Sequence, residues 1–412
     1  LKNRLFCKSI LLFVDPTHRA MGCCSSTSQA EVPVPKPRRR LSVGQVDESE
    51  LPGNEDSQAE QDRGLIAALS KNNLIEMVSE TEQPGKSKSG RRVSLSSKTD
   101  KGTTSFANKT MQKFGDTDVD IAQCGIGYTC RKGLKPESPN QDSWFVLKMD
   151  NFSLYGVFDG HGQKGHDVSN FAMDMLPKCI IKDERVFSTE KRDWGPILSD
   201  AFKKTQNFIT ASDKMKTLQA QMSGTTATVA IHDHSDNSVT IGHVADSTAA
   251  LGTKNANAWS AVALTRDHKP NLKDEKARIE KSGGRVVFDG YANYRVYAKN
   301  ARYPGLNMSR CLGDLLGHAE CGMSCEPEIN KITFDKGKQY IMMVCSDGVW
   351  EFISAQEAVD IVSKYDANEA TAAADDLAKE AWDRWIREEG GSVVDDITVV
   401  LLYVGFPPVK QA

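Results

Sequence analysis

Four aspartates, Asp159, Asp246, Asp347 and Asp395, each stand beside a short apolar run of strand composition. This recurrence limits the possible folds more than any other feature of the chain. The runs Phe152–Phe158, Thr225–His232, Ser238–Val244, Tyr340–Cys345 and Ile397–Val404 are rich in β-branched and aromatic residues and read as strands. A carboxylate at such a strand end is anchored by the buried run, yet it faces a cleft. Asp159-Gly160 and Asp347-Gly348 end their runs at glycine, where the backbone can turn sharply and approach a ligand. Singly, such pairs are ordinary turns. Converging at one edge, the acids repel one another unless cations neutralise them. All-oxygen ligands select hard ions, so Mg2+ or Mn2+ is expected. Cys321 and Cys325 lack the second pair that a zinc motif needs.

Helical spacing connects Leu198, Phe202, Thr205 and Ile209, and Ser354 followed by Glu357 is a capping-box start for a helix over 355–365. Another helix is predicted through Trp385. Helices clustered between groups of strands argue for an α+β domain whose sheets pack together and carry helices outside. Residues 271–307, with Gly283, Gly284, Gly290 and Gly305, read as an irregular insertion or flap. With 412 residues the chain allows one large domain or two ordinary ones.

Residues 21–115 are rich in Ser, Lys, Arg, Glu, Pro and Gly and read as a disordered regulatory tail, because burial cannot offset the entropy of ordering them. Within it, Leu65, Leu69, Leu74 and Met77 suggest a short amphipathic helix over 64–80, read as either transient or docking. The catalytic domain is placed at 116–405, with a short tail at 406–412. A formal net charge of -3 argues against a nucleic-acid partner. The ten irregularly spaced cysteines favour reduced thiols and a cytoplasmic location. No run approaches the ~20 apolar residues of a spanning helix.

The segment Phe158-Asp159-Gly160-His161-Gly162 resembles the signature of the type 2C metal-dependent protein phosphatases, the PPM family. Further matches follow in the family's order. They are Asn140-Gln141-Asp142, Ser223-Gly224-Thr225-Thr226-Ala227, Ala245-Asp246-Ser247, Asp267-His268-Lys269-Pro270, Ser309-Arg310-Cys311-Leu312-Gly313-Asp314, Cys345-Ser346-Asp347-Gly348-Val349-Trp350-Glu351 and Asp395-Asp396-Ile397-Thr398-Val399. The resemblance implies a β-sandwich of two antiparallel sheets flanked by helices, a four-layer α-β-β-α arrangement. It implies hydrolysis of phosphoserine and phosphothreonine in protein substrates by a water activated between two Mg2+ or Mn2+ ions. On this pattern Asp159 would bridge the metals, Gly160 would ligate through its carbonyl, and Asp347 and Asp395 would complete the shell. Asp142 would orient a metal-bound water, and His161 would act as general acid. Asp246, Asp347 and Glu351 suggest a third, weaker ion near Thr226. Glu351 is also read as an acid opening a helix.

The sequence departs from the pattern at three places. Glu137 stands where the family commonly has a phosphate-gripping arginine, leaving Lys135 or Arg131 as replacements. Gln141 replaces a frequent glutamate, and Thr248 follows Asp246-Ser247 where arginine is usual. Two rival readings stand beside the enzyme. One is a phosphoprotein-binding pseudophosphatase, which the retained acids oppose. The other is a cysteine-dependent phosphatase built on the Cys-x5-Arg spacing of Cys179 and Arg185, which lacks the glycines of a phosphate cradle.

Met21-Gly22-Cys23-Cys24-Ser25-Ser26 matches an N-myristoylation pattern if translation starts at Met21, with residues 1–20 as an upstream extension. Gly22 would carry myristate, and Cys23 or Cys24 palmitate or the basic residues 36–40 would supply the second signal for peripheral membrane association. Ser42 and Ser94 follow paired arginines and read as sites for a basophilic kinase. The enzyme is expected to be a monomer.

Overall fold

The computed structural model describes residues 57–81 and 92–407, apart from 100–101, 103, 117, 136–138, 188–191 and 257. Gly22, Cys23, Cys24, Ser42 and Glu137 lie outside the described residues.

Side-chain alternation builds the architecture. In β4 (Asp142–Lys148), Trp144 and Val146 enter a core between two sheets, while Phe145 and Leu147 enter a core beneath helices. In β5 (Phe152–His161), Tyr155 and Val157 take the first side, and Phe152, Leu154 and Phe158 the second. Their antiparallel sheet runs β15 (Glu328–Thr333), β8 (Ser238–Val244), β7 (Ala227–Asp233), β5, β4, β1 (Val93–Ser97), β2 (Met111–Gly115). The short β6 (Gly224–Thr225) pairs with the end of β5 and with β14 (Leu312–Gly313). The second antiparallel sheet runs β10 (Ala258–Ala263), β9 (Thr248–Asn255), β16 (Tyr340–Cys345), β17 (Ile397–Val404), β3 (Ile126–Arg131).

Helices α3 (Gly165–Ile181) and α4 (Trp194–Lys214) cover the first sheet, and α8 (Ala355–Val362) and α9 (Ala370–Glu388) cover the second. The expected α+β sandwich of two antiparallel sheets between helical layers is therefore what the chain forms. The capping box of α8 is present, with the Glu357 N–H donating to Ser354 Oγ at 3.3 Å and the Ser354 N–H to the Glu357 carboxylate at 2.9 Å. Among the described residues no helix is long and apolar enough to cross a membrane.

Two expectations need correction. The tail does not stay structureless to residue 115, because α1 (Ser57–Leu69) and α2 (Leu74–Thr81) seat Leu69, Leu74, Met77 and Val78 in the core beneath α3 and α4. Further on, β1 is inserted between β2 and β4. Only Val93 and Leu95 of β1 face the inter-sheet core, too few apolar residues to show a period of two, and backbone pairing on both edges secures the strand. Ser94 is consequently buried at 3% exposure between Phe114 and Leu147, which removes it as a kinase site on the folded protein.

The second correction concerns 271–307. Helix α5 (Lys273–Lys281) and a sheet of β11 (Arg285–Phe288), β12 (Tyr294–Tyr297) and β13 (Pro304–Leu306) order most of it. With α6 (Leu315–Cys321) they enclose a small core of Ile279, Val296, Leu306, Cys321 and Met323.

Candidate active site

Strand parity brings the acids together. Asp142 and Asp159 pair directly across β4 and β5, on the side of their strands that faces the second sheet. In that sheet the end of β16 meets the start of β17 at Cys345 and Val399. Asp347 follows the first strand, opening the single-turn helix α7 (Asp347–Trp350), and Asp395 precedes the second. Hydrogen bonds join the two sheet ends: Ser346 Oγ donates to Asp142 Oδ2 at 2.8 Å and Thr398 Oγ1 to the same oxygen at 2.7 Å. The other oxygen of Asp142, Oδ1, is buried without a hydrogen-bond partner.

Electrostatics show what this arrangement lacks. Burial, the charge of Asp396 and two opposing hydroxyl bonds leave Asp142 pushed up to about 6. Asp159 is held well above the carboxylate range by burial and then by Asp142, Asp347 and Asp395. Asp395 is likewise raised by burial despite its ion pair with Lys135, whose amine is itself held charged by Asp395, Asp159, Asp396 and Asp347 against the cost of burial. One lysine cannot neutralise this many acids, and Asp142 adds a buried oxygen that no hydrogen bond satisfies. The residues present fit hard divalent cations, because oxygen ligands and surplus negative charge are what such ions require.

Neighbouring groups fix the acids in place. The Asp396 carboxylate accepts from the backbone N–H groups of Gly133 at 2.7 Å and Gln141 at 2.8 Å, tying down the loop that carries Lys135. Gln141 donates through Nε2 to Gly162 O at 2.8 Å, a bond that the glutamate usual in the family could not make when ionised. A Cβ on Gly160 would lie 2.4 Å from Gly165 O and 2.6 Å from Gln141 O, so only glycine lets β5 run this close to both segments. Thr226 Oγ1 accepts from the Asp159 N–H at 2.9 Å and lies 2.6 Å from Ser247 Oγ, beside Asp246.

His161 flanks the acids from the end of β5. Its Nε2 lies 2.5 Å from Asp314 Oδ2, and its Nδ1 is buried without a partner. Burial opposes charge on the ring, but the charge and hydrogen bond of Asp314, with Asp246 behind, outweigh it and hold the pKa above its ordinary value. Asp314 is 1% exposed and sits in the left-handed region at φ 43°, its N–H donating to Ser223 O at 2.9 Å. Gly224 makes room for it, since a Cβ there would fall 2.2 Å from Asp314 Oδ2. Asp314 belongs to a motif noted in the sequence, but nothing in the linear order of the chain indicates that it meets His161.

The remaining expected residues divide. Arg131 is removed as a phosphate ligand: β3 turns Cys130 to the inter-sheet core and Arg131 to α9, where its guanidinium meets Asp375 at 2.7 Å and lies 5.0 Å over Phe106. Lys135 stands among the acids. Asp246 pairs with Lys269, which brings a cation to the aspartate that the missing arginine would have flanked. Glu351 closes α7, its N–H donating to Asp347 O at 3.0 Å, instead of opening the next helix. The cysteine-phosphatase reading fails on geometry: Cys179 is buried inside α3 with its thiol pushed up to about 11, and Arg185 is held by Asp183 and Asp200 at 2.6 Å each.

Comparison with known proteins agrees with this architecture. The family profile "Protein phosphatase 2C" matches residues 134–389. Probable protein phosphatase 2C 72 of Arabidopsis thaliana is 32% identical over 319 residues, covering 71% of this chain and 89% of its own length. Probable protein phosphatase 2C 48 of Oryza sativa subsp. japonica is 33% identical over 297 residues, covering 65% and 81%. The crystal structure of serine-threonine phosphatase 2C from Toxoplasma gondii superimposes with a TM-score of 0.58 at 20% identity, covering 68% of this chain and 94% of that one. Two antiparallel sheets packed between helical layers are the protein phosphatase 2C fold. The chain belongs to the protein phosphatase 2C family of serine/threonine phosphatases.

Proposed function

We propose that this chain hydrolyses phosphoserine and phosphothreonine in proteins with the help of divalent cations held by Asp159, the Gly160 carbonyl, Asp347 and Asp395. The observation that carries this reading is the convergence of buried, mutually repelling carboxylates, Asp142 with its orphaned Oδ1 among them. Mg2+ or Mn2+ bound there would supply charge neutralisation and activate water for attack on phosphorus. Asp142, held at Oδ2 by Ser346 and Thr398, has Oδ1 left to accept from a metal-bound water and would orient it. Lys135 exchanges its contact with Asp395 for a phosphate oxygen once the acids are neutralised, so its point charge does the work of the absent arginine. His161, kept protonated by Asp314, carries at Nδ1 a proton that no protein acceptor claims, available to the departing serine or threonine oxygen.

The test is Mn2+-dependent phosphate release from a phosphothreonine peptide by wild type, Asp159→Asn, Asp347→Asn and Cys179→Ser. Loss in both aspartate variants with Cys179→Ser fully active is expected. Tight phosphopeptide binding without release by the wild type would instead mark a binding module.

A further inference from the structure

A second set of ligating atoms lies beside the acids and differs from them in chemistry. His161 Nε2, Cys311 Sγ and an Asp314 carboxylate oxygen all fall within 4.8 Å of one another. The sulfur is 3.2 Å from Asp314 Oδ2, and His318 Nε2 is 3.8 Å from the same sulfur. His161 comes from the end of β5, Cys311 from the residue just before β14, and Asp314 from the turn into α6, on which His318 also lies. Cys311 and Asp314 are 0% and 1% exposed, and Asp314 Oδ1 is buried with no partner.

Imidazole and thiol select borderline-soft ions, whereas the neighbouring all-carboxylate cluster selects hard ones. Tetrahedral zinc bonds of about 2.0–2.3 Å place ligand atoms roughly 3.2–3.8 Å apart, so the His161–Asp314 contact need open by only about 1 Å. His161 is the accessible member, its side chain 15% exposed, and gives an ion its way in.

We propose that His161, Cys311 and Asp314 form an inhibitory Zn2+ site distinct from the Mg2+/Mn2+ centre, with His318, whose Nε2 lies 3.2 Å from the Cys311 carbonyl oxygen, supporting the cysteine from behind. Binding replaces two protons with the cation: the thiol proton of Cys311 and the one shared by His161 Nε2 and Asp314 leave for solvent. The ring is then held at Nε2 by the ion as a neutral ligand that keeps its Nδ1 proton, and because losing that proton would now leave an imidazolate, it is a far weaker acid toward the departing oxygen than the imidazolium. The inhibitory effect rests on the reading of His161 as general acid, whereas the site itself does not. Without zinc, Cys311 stays a neutral thiol, because burial and Asp314 both raise its pKa.

The experiment uses the full chain at saturating Mn2+, with Zn2+ titrated into phosphothreonine-peptide turnover and Co2+ titrated separately while thiolate-to-metal charge-transfer absorption is read. Zn2+ should inhibit and the Co2+ band should appear. Cys311→Ser should abolish the band, leave zinc-free turnover unchanged, and raise the inhibiting Zn2+ concentration at least about 100-fold, the upper end of what even an outer-shell partner contributes. Cys311→Ala serves as a second variant against misfolding, and His318→Gln should give a shift of about tenfold. A missing band, an inhibition midpoint that rises in proportion to Mn2+, or inhibition unchanged in both cysteine variants overturns the site. A Cys311-dependent band with turnover indifferent to zinc overturns the inhibition and with it the acid role of His161, while the metal centre of the proposed function stands.

Discussion

Two buried carboxylate environments in this molecule point in opposite directions. Glu275, on α5, is 1% exposed and is surrounded by donors: Arg278 and Arg310 at 2.7 Å each, and the Ser309 hydroxyl. Burial alone would raise its pKa, but these bonds bring it down to about 2. Asp142 is 0% exposed and pushed up to about 6, with Asp159 and Asp395 well above their usual range. Burial is common to both, so the neighbours decide. A carboxylate among guanidinium groups secures the fold, whereas carboxylates among carboxylates leave charge for a cation to take up.

The contrast can be broken at either side. Asp159→Asn should cut turnover at saturating Mn2+ by at least about 100-fold. In chelator the same variant should melt about 2 °C higher than wild type, since one repelling charge is gone. A lower melting temperature without metal would mean that the acids support the fold as Glu275 does. Glu275→Gln should do the reverse, costing about 3 kcal/mol in urea unfolding by leaving two arginines short of their counter-charge, with turnover per folded molecule retained.

pH sharpens the second arm. Because the folded pKa of Glu275 is depressed from 4.5 to about 2, its stabilisation is complete above pH 4.5 and is lost as pH falls toward 2. The stability gap between wild type and Glu275→Gln should close over that window, and a constant gap would show that shape rather than charge is responsible. Lys135→Met should lower kcat/KM for phosphopeptide by about tenfold, the share of one charged hydrogen bond, while tightening Mn2+ binding. If neither changes, Lys135 is not a phosphate ligand. The smallest effect is expected for Gln141→Glu, which exchanges the amide bond to Gly162 for added negative charge, a loss of about 1 kcal/mol in stability measured by the urea midpoint.

Much of the site could be read before folding because each acid carries its own local marker. Tyr340–Cys345 and Ile397–Val404 form strands at their expected bounds, and Asp347 and Asp395 lie just beyond them. Less visible were groups whose meaning depends on distant partners. Asp314 was one letter of a motif until the fold set it against His161, 153 residues away in sequence. Arg131 and Lys135 were equivalent cations in the linear text, and only the parity of β3 sends the arginine outward to α9. The strand at Val93–Ser97 is not legible in the sequence because its apolar pattern is two residues long and its stability comes from neighbours on both edges.

The placement of β17 also dictates an order of assembly. This strand lies between β16 and β3, joining Leu402 to Ile126 and Ile397 to Arg131. On the ribosome, β3 therefore waits for its partner until nearly all of the domain has been synthesised, a long-range closure of the kind that slows folding. The same late arrival delivers Thr398 to Asp142 and sets Asp395 beside Lys135. The last strand to be made thus closes the second sheet and completes the buried acid cluster in one event.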